Sequence, residues 1–294
     1  MISRVTTQTM VDSAARNLQS AKNDLARIQD RASSQKALDR PSDDPAAMAE
    51  SLRVRTAQRA TEQYGSNIAD GMGWLATTES ALSGALDVLG RVRDLTVQGA
   101  NDGALSTTAR NTIALELESL GADLLSKANS SYLGRSVFAG TSDAGVAFDA
   151  GYAHTGAPGS SVQRRVGDDQ TVRVDVDGAA AFGTGPLSAF ALIDGIAADL
   201  RAGVNIGTRL SAVDARITAV VEQLAGVGTR DARIERAQEA NMEHSGALEA
   251  QRSGVEDIDL ARVILDLQVQ ETTYRAALAV TARVLQPTLM DFLR

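Results

Sequence analysis

Between Val11 and Gln35 an apolar position recurs every seventh residue, at Val11, Leu18, Leu25 and Ala32, interleaved with a second line at Ala14, Ala21, Ile28 and Gln35. Paired lines of that period are the a/d seam of a heptad helix, with Arg16, Lys22, Asp24, Arg27, Asp30 and Arg31 on the other faces. Alanine fills several seam positions, so a partner helix can approach closely while little apolar area is buried per turn. A lone helix of this kind is marginal in water, so the segment needs a partner. At the far end, Ile258 to Leu285 carries a second long helical pattern with no internal Gly or Pro. One line runs Leu260, Ile264, Leu267, Tyr274, Leu278 and Leu285, and a neighbouring line runs Leu265, Val269, Ala276, Val280 and Val284. That face is wider than a two-stranded seam, which predicts contact with more than one helix. Two arrangements fit such ends: an antiparallel bundle closed within one monomer, or termini that find partners in other copies.

The patterning between the ends is also helical, with one interruption. In DRPSDDPAAMAE, Asp44 is an N-cap and Pro45 suits the first helical position. Asp43 and Asp44 lack a third ligand nearby, so a capping turn is favoured over a cation site. The next helix keeps seven-residue spacing through Ile68, Leu75, Leu82 and Leu89, flanked by Met72, Leu86 and Val92. Gly65, Gly71, Gly73 and Gly84 each weaken it by roughly 1 kcal/mol relative to Ala, so tertiary contacts must hold it. Trp74 in this stretch reads as a packing anchor. QGANDGALSTT ends the helix in a turn, and Ile113, Leu117, Leu120 and Leu124 mark another. From Tyr132 to Pro186 the chain is rich in Gly, Ser, Thr and Asp. Short alternating runs at Val162 to Val166 and at Val172, Val174 and Val176 predict a small β-rich insert, with Asp177-Gly178 as a hairpin turn. Helical pattern returns at Leu187 to Arg201, at Ile206, Leu210, Val213, Ile217, Val220 and Leu224, and at Ile234 to Leu248; Pro287 interrupts the last helix.

Composition narrows the function. The 294 residues are 44% hydrophobic but only 3% aromatic, the make-up of an interior filled by Ala, Leu, Val and Ile as in helical bundles. A net charge of −8 argues against a nucleic-acid protein, which needs a basic footprint. Without cysteine there is no disulfide staple, thiolate chemistry or cysteine metal site. MISRVTTQTMVDS has no apolar run long enough for a signal peptide, and the longest uncharged stretch, between Asp177 and Asp194, is broken by Gly183, Gly185 and Pro186, so no membrane span is expected. His154 and His244 lie in different segments, no serine sits in a Gly-x-Ser-x-Gly elbow, DVDG lacks most calcium-loop ligands, and GVGTRDAR lacks a Gly-Lys-Ser/Thr. No enzyme, cofactor or metal site is expected.

The block from PSDDPAAMAESLRVR through QYGSNIADGMGWLATTESALSGALDVLGRVRDLTVQGAN resembles the amino-terminal region of the flagellin superfamily. More narrowly, DDPAA (Asp43, Asp44, Pro45), Asn67, Trp74-Leu75 and TTESAL are similar to the flagellar hook-associated protein 3 family, the hook–filament junction proteins, whereas flagellins usually read DDAAG and lack the Trp. Arg110, Ile113, Glu116, Leu117 and Leu120 extend the likeness, as does YLGRSVFAGT, with its residue order altered. The terminal QPTLMDFLR also resembles flagellin tails. The resemblance implies a mainly α fold, a long antiparallel coiled-coil or helical bundle built from the N- and C-terminal segments with a small β-rich insert. The expected parts are an N-terminal axial arm (1–44), a helical rod (45–131), the insert (132–186), a returning rod (187–254) and a C-terminal axial arm (255–294). It further implies export through the flagellar type III apparatus, a ring of identical subunits, hook-associated protein 1 and flagellin as neighbours, and an export chaperone. Subunit packing is expected from Val11, Leu18, Leu25, Ile28, Leu260, Ile264, Leu267 and Leu278. Flagellin itself and a cytosolic coiled-coil adaptor are the alternatives.

Overall fold

In a computed structural model of the chain, describing residues 2–38, 40, 42, 44–101 and 105–285, the heptad segments are helical. In chain order the elements are α1 (Ile2–Ser34), α2 (Pro45–Ala100), α3 (Thr107–Ala128), β1 (Ser131–Tyr132), β2 (Arg135–Ser136), β3 (Gln163–Arg165), β4 (Thr171–Arg173), α4 (Gly178–Phe182), α5 (Ala189–Ala202), α6 (Leu210–Glu256) and α7 (Leu260–Leu285). Helix thus dominates, as the patterning predicts. The segments at Leu210–Leu224 and Ile234–Leu248 are one 47-residue helix, α6, running unbroken through Gly226 and Gly228. Two compact units result: Met1–Arg59 with Gly246–Arg294, and Ala60–Ser245.

Capping residues set the helix ends. The Asp44 carboxylate accepts hydrogen bonds from the Ala46 and Ala47 amides, both at 3.0 Å, and Pro45 opens α2 where no N–H is needed. Asp43 lies outside the described residues, as does QPTLMDFLR. At the end of α1, Gln35 turns left-handed (φ 56°) while its N–H still bonds the Arg31 carbonyl at 3.0 Å. That turn takes Gln35 off the seam on which the sequence puts it, and its side chain is exposed. The Asp259 carboxylate caps α7 through the Arg262 amide at 3.2 Å.

In the unit Ala60–Ser245, the α2 line Ile68, Leu75, Leu82 and Leu89 is buried, each residue at most 2% exposed. On α6, Val213, Val220, Val227 and Ile234 repeat the same spacing and are equally buried. The two helices run antiparallel: Gly71 meets Ile234, and Arg93 pairs with Asp214 at 2.7 Å. α3 and α5 close the core with Ile113, Leu117 and Leu124 against Ile193, Ile196 and Leu200.

The insert contains less strand than the alternation suggests. Two antiparallel hairpins are present, β1 with β2 and β3 with β4, of two and three residues per strand. Asp177-Gly178 is not a hairpin turn. Asp177 caps α4 by accepting from the Ala179 amide at 2.9 Å, and the turn between the alternating runs lies at Val166–Gln170. Side chains replace the missing ladder: Asn129 accepts from the Ala147 and Phe148 amides at 2.8 and 2.9 Å. Phe138, Phe148, Phe182 and Phe190 then pack ring against ring, with centroids 5.1–5.9 Å apart, inside the same core as the helices.

Structure divides the α2 glycines into two kinds. A Cβ on Gly73 would lie 2.4 Å from the Tyr132 hydroxyl and 2.6 Å from its ring, whereas nothing lies within 4 Å of one on Gly90. Gly90→Ala should therefore stabilise this unit by about 1 kcal/mol through helix propensity. Gly73→Ala should destabilise it by roughly 1–2 kcal/mol, because Tyr132 is packed edge-on against Trp74 and has to move. Urea unfolding followed by fluorescence of the single Trp reads both; a gain at Gly73 would contradict the close approach.

Candidate assembly surface

In the unit containing both chain ends, α1 and α7 pair antiparallel. Lys36 and Asp257 form a main-chain β-bridge, and the Gln270 amide donates to the Ala21 carbonyl at 3.5 Å. On α1 the covered positions are the predicted heptad lines: Val11, Ala14, Leu18, Leu25, Ile28 and Ala32 are half-buried and Ala21 is buried. On α7 the covered positions are Val263, Leu267, Gln270, Tyr274, Ala277 and Thr281, also at heptad spacing.

On α7 the structure separates covered positions from open ones. Of its predicted packing residues only Leu267 sits in the seam; Leu260, Ile264 and Leu278 flank it and remain 42–46% exposed. Leu265, Val269 and Val280 are 59–62% exposed. At 100° per residue Leu265 lies nearly opposite Val263 and Gln270, and Val269 and Val280 lie about 100° round from them on the open side. The seam takes Gln270 and Thr281 along with Val263, Leu267 and Tyr274, and leaves Leu265, Val269 and Val280 to solvent. Covering each such side chain contributes roughly 1.5–3 kcal/mol. The outer face of α1, by contrast, presents Arg16, Asn17, Gln19, Lys22, Asn23 and Arg27.

At the base of this pair, Glu256 ends α6 and is only 5% exposed. Its carboxylate accepts from Ser51 Oγ at 2.5 Å, from Arg55 Nε and Nη2 at 2.7 and 2.8 Å, and from Arg252 Nη1 at 3.4 Å. Its main-chain carbonyl accepts from the Ala37 amide at 2.7 Å. Nearby, Gln251 donates to Glu50 at 2.7 Å and Gln58 to Glu249 at 2.9 Å. The Arg55 hydrogen bonds, helped by Ser51 and the charges of Arg55 and Arg252 against the opposing cost of burial, pull the Glu256 pKa from 4.5 down to about 2. No periodicity flags this cluster, since its members are some two hundred residues apart in sequence.

A carboxylate whose folded pKa is depressed stabilises fully above its unfolded value and loses that contribution as pH falls through the folded one. For Glu256 the window runs from pH 4.5 down to about 2. With Arg55 half exposed and screened, the contribution is on the order of 2 kcal/mol. Lowering pH through this window should lower the unfolding midpoint of the parent more than that of Glu256→Gln, and a carboxyl-carbon NMR titration should put Glu256 well below an ordinary glutamate. An ordinary midpoint would refute it.

The family-motif residues hold the other unit together. Asn67 donates to the Arg165 carbonyl at 2.8 Å, fastening β3 to α2. Leu75 is buried, and the guanidinium groups of Arg135 and Arg164 each lie over the Trp74 ring, 5.9 and 5.7 Å from its centroid. His154 Nε2 contacts the Phe138 carbonyl at 2.8 Å, a packing role. Among the described residues no three His, Asp or Glu side chains gather to hold a metal ion, and no helix is long and apolar enough to cross a membrane.

Known proteins share this arrangement. The bacterial flagellin N-terminal helical region matches residues 5–143, and the bacterial flagellin C-terminal helical region matches 210–293. The chain belongs to the flagellin superfamily. A relative, the flagellar filament 30.7 kDa core protein of Treponema maltophilum, is 28% identical over 258 residues, 85% of each chain. A putative flagellar hook-associated protein from Vibrio parahaemolyticus superposes with a TM-score of 0.66 at 22% identity, over 73% of this chain and all of that one. The flagellar junction protein FlgL of Legionella pneumophila does so with a TM-score of 0.58 at 16% identity, over 71% and 100%. These likenesses give this flagellin-superfamily chain the fold of hook-associated proteins. The two matched regions include α1 and α7, the helices that carry the candidate surface.

Proposed function

We propose that this chain is a structural component of the bacterial flagellum, the junction protein between hook and filament. In this reading 1–44 and 255–294 are the axial arms, 45–131 and 187–254 the rod, and 132–186 the outward insert. The subunit is exported through the flagellar type III apparatus, with a chaperone. It then packs as a ring between hook-associated protein 1 and flagellin. The carrying observation is the uncovered apolar face of α7, Leu265, Val269 and Val280, on a helix whose other side is already paired. A chain that keeps such a face open gains by ordering it against sister subunits, so folding of the arms and binding become coupled. Val11, Leu18, Leu25, Ile28 and Leu267 hold the arm together, while Leu260, Ile264 and Leu278 extend the packing surface beyond the seam. Support for the junction over the filament comes from the Asp44-Pro45 and Trp74-Leu75 motifs and from the fold shared with hook-associated proteins.

A second reading, flagellin, is favoured by the Treponema relative, whose name is that of a filament core protein. Labelling the protein on intact cells separates the two. One spot at the base of each filament is expected; signal along the whole filament would replace the junction with flagellin, and signal confined to the cytosol would remove both.

A further inference from the structure

The seam between α1 and α7 is poor at fixing its own register. On α1 the seam alternates Val11, Leu18, Leu25 and Ile28 with Ala14, Ala21 and Ala32, and on α7 Val263, Leu267 and Tyr274 with Gln270, Ala277 and Thr281. Sliding α7 by one heptad, about 10 Å along the axis, returns seam positions to seam positions. Every seam position then still meets a seam position, so the heptad repeat alone does not choose between the registers.

What resists the slip lies at the root. Both helices leave from the cluster around Glu256: the Ala37 amide bonds the Glu256 carbonyl in a short main-chain β-bridge between Lys36 and Asp257, two residues before the Asp259 cap of α7. The Glu256 carboxylate holds that end of α6 onto α2 through Ser51 and the two-pronged Arg55 contact. A slipped α7 has to break the main-chain bridge at Lys36 and Asp257 or pull Glu256 from Arg55.

We propose that Glu256 is a positioning residue that sets the register of α1 against α7, and with it the height at which the uncovered α7 face is presented to the next subunit. The register claim concerns the free chain; only its consequence for presentation rests on the assembly role proposed above.

The absence of cysteine supplies a clean test. Ala21→Cys with Gln270→Cys reports the native register, and Ala21→Cys with Val263→Cys or Ala277→Cys reports slips of one heptad either way. In the full chain the native pair should oxidise at least about tenfold faster than either slipped pair. With Glu256→Gln added, that preference should fall to about threefold or less, and Arg55→Lys, which keeps the charge but loses the fork, should fall between. The fluorescence-detected unfolding of the unit Ala60–Ser245 serves as a control and should not move. An unchanged preference in Glu256→Gln overturns the inference. So does loss of α1 and α7 helicity, which would mean that the cluster holds the helices together and does not register them. Failure of the native chain to reach the flagellum would sink the junction role and leave the cross-linking result intact.

Discussion

Val269→Asp with Val280→Asp should cut incorporation of the subunit into the flagellum by roughly 10²–10⁴-fold. Two valines covered by a neighbour contribute together roughly 3–6 kcal/mol, and each 1.4 kcal/mol is a factor of ten. Both side chains are about 60% exposed in the free chain and touch the solvent side of α7, so helicity and unfolding of the isolated protein should be unaffected. Replacing Leu18 and Leu25 with Asp, by contrast, places carboxylates in the α1–α7 seam and should lower helicity as well as assembly. Counting labelled junctions on cells complemented with each variant, beside circular dichroism of the purified chains, separates the two effects. Normal assembly of the Val269/Val280 variant would show that this face stays wet in the flagellum.

The second large effect concerns stability. Phe148→Ala should destabilise the unit Ala60–Ser245 by about 3–5 kcal/mol, as expected for a large buried aromatic side chain. Phe148 is 2% exposed and meets Phe190 at 5.1 Å, His154 at 5.2 Å and Phe182 at 5.9 Å. The insert has almost no sheet of its own to compensate. Urea unfolding followed at Trp74, which lies in the same unit, measures the loss. A cost below about 1 kcal/mol would mean that the insert is not part of this core.

Legibility followed the length of the periodic signal. Ile68, Leu75, Leu82 and Leu89 are buried where the spacing puts them, because a helix of many turns repeats one geometry and each repeat confirms the last. Asp44 and Pro45 were equally readable, since capping needs only neighbours in sequence. Asp177 misled for the complementary reason: Asp-Gly serves a hairpin turn or a helix N-cap, and packing of Phe182, at the end of α4, against Phe138 chose the cap. Gln35 dropped off its seam because one left-handed residue ended the helix, a conformation Gln does not announce.

By itself the sequence determined that the chain is helical, which stretches form seams, where α2 begins, and that its two ends carry apolar stripes. These are local or strictly periodic properties, written into spacing and capping chemistry. Tertiary structure alone decided which α7 stripe is covered, because α1 selects the side it can approach closely, and that side carries Leu267, Gln270, Tyr274 and Thr281 while Val269 and Val280 stay exposed beside it. It alone brought Glu256 to Ser51 and Arg55, since a charge partner some two hundred residues distant leaves no trace in any local pattern.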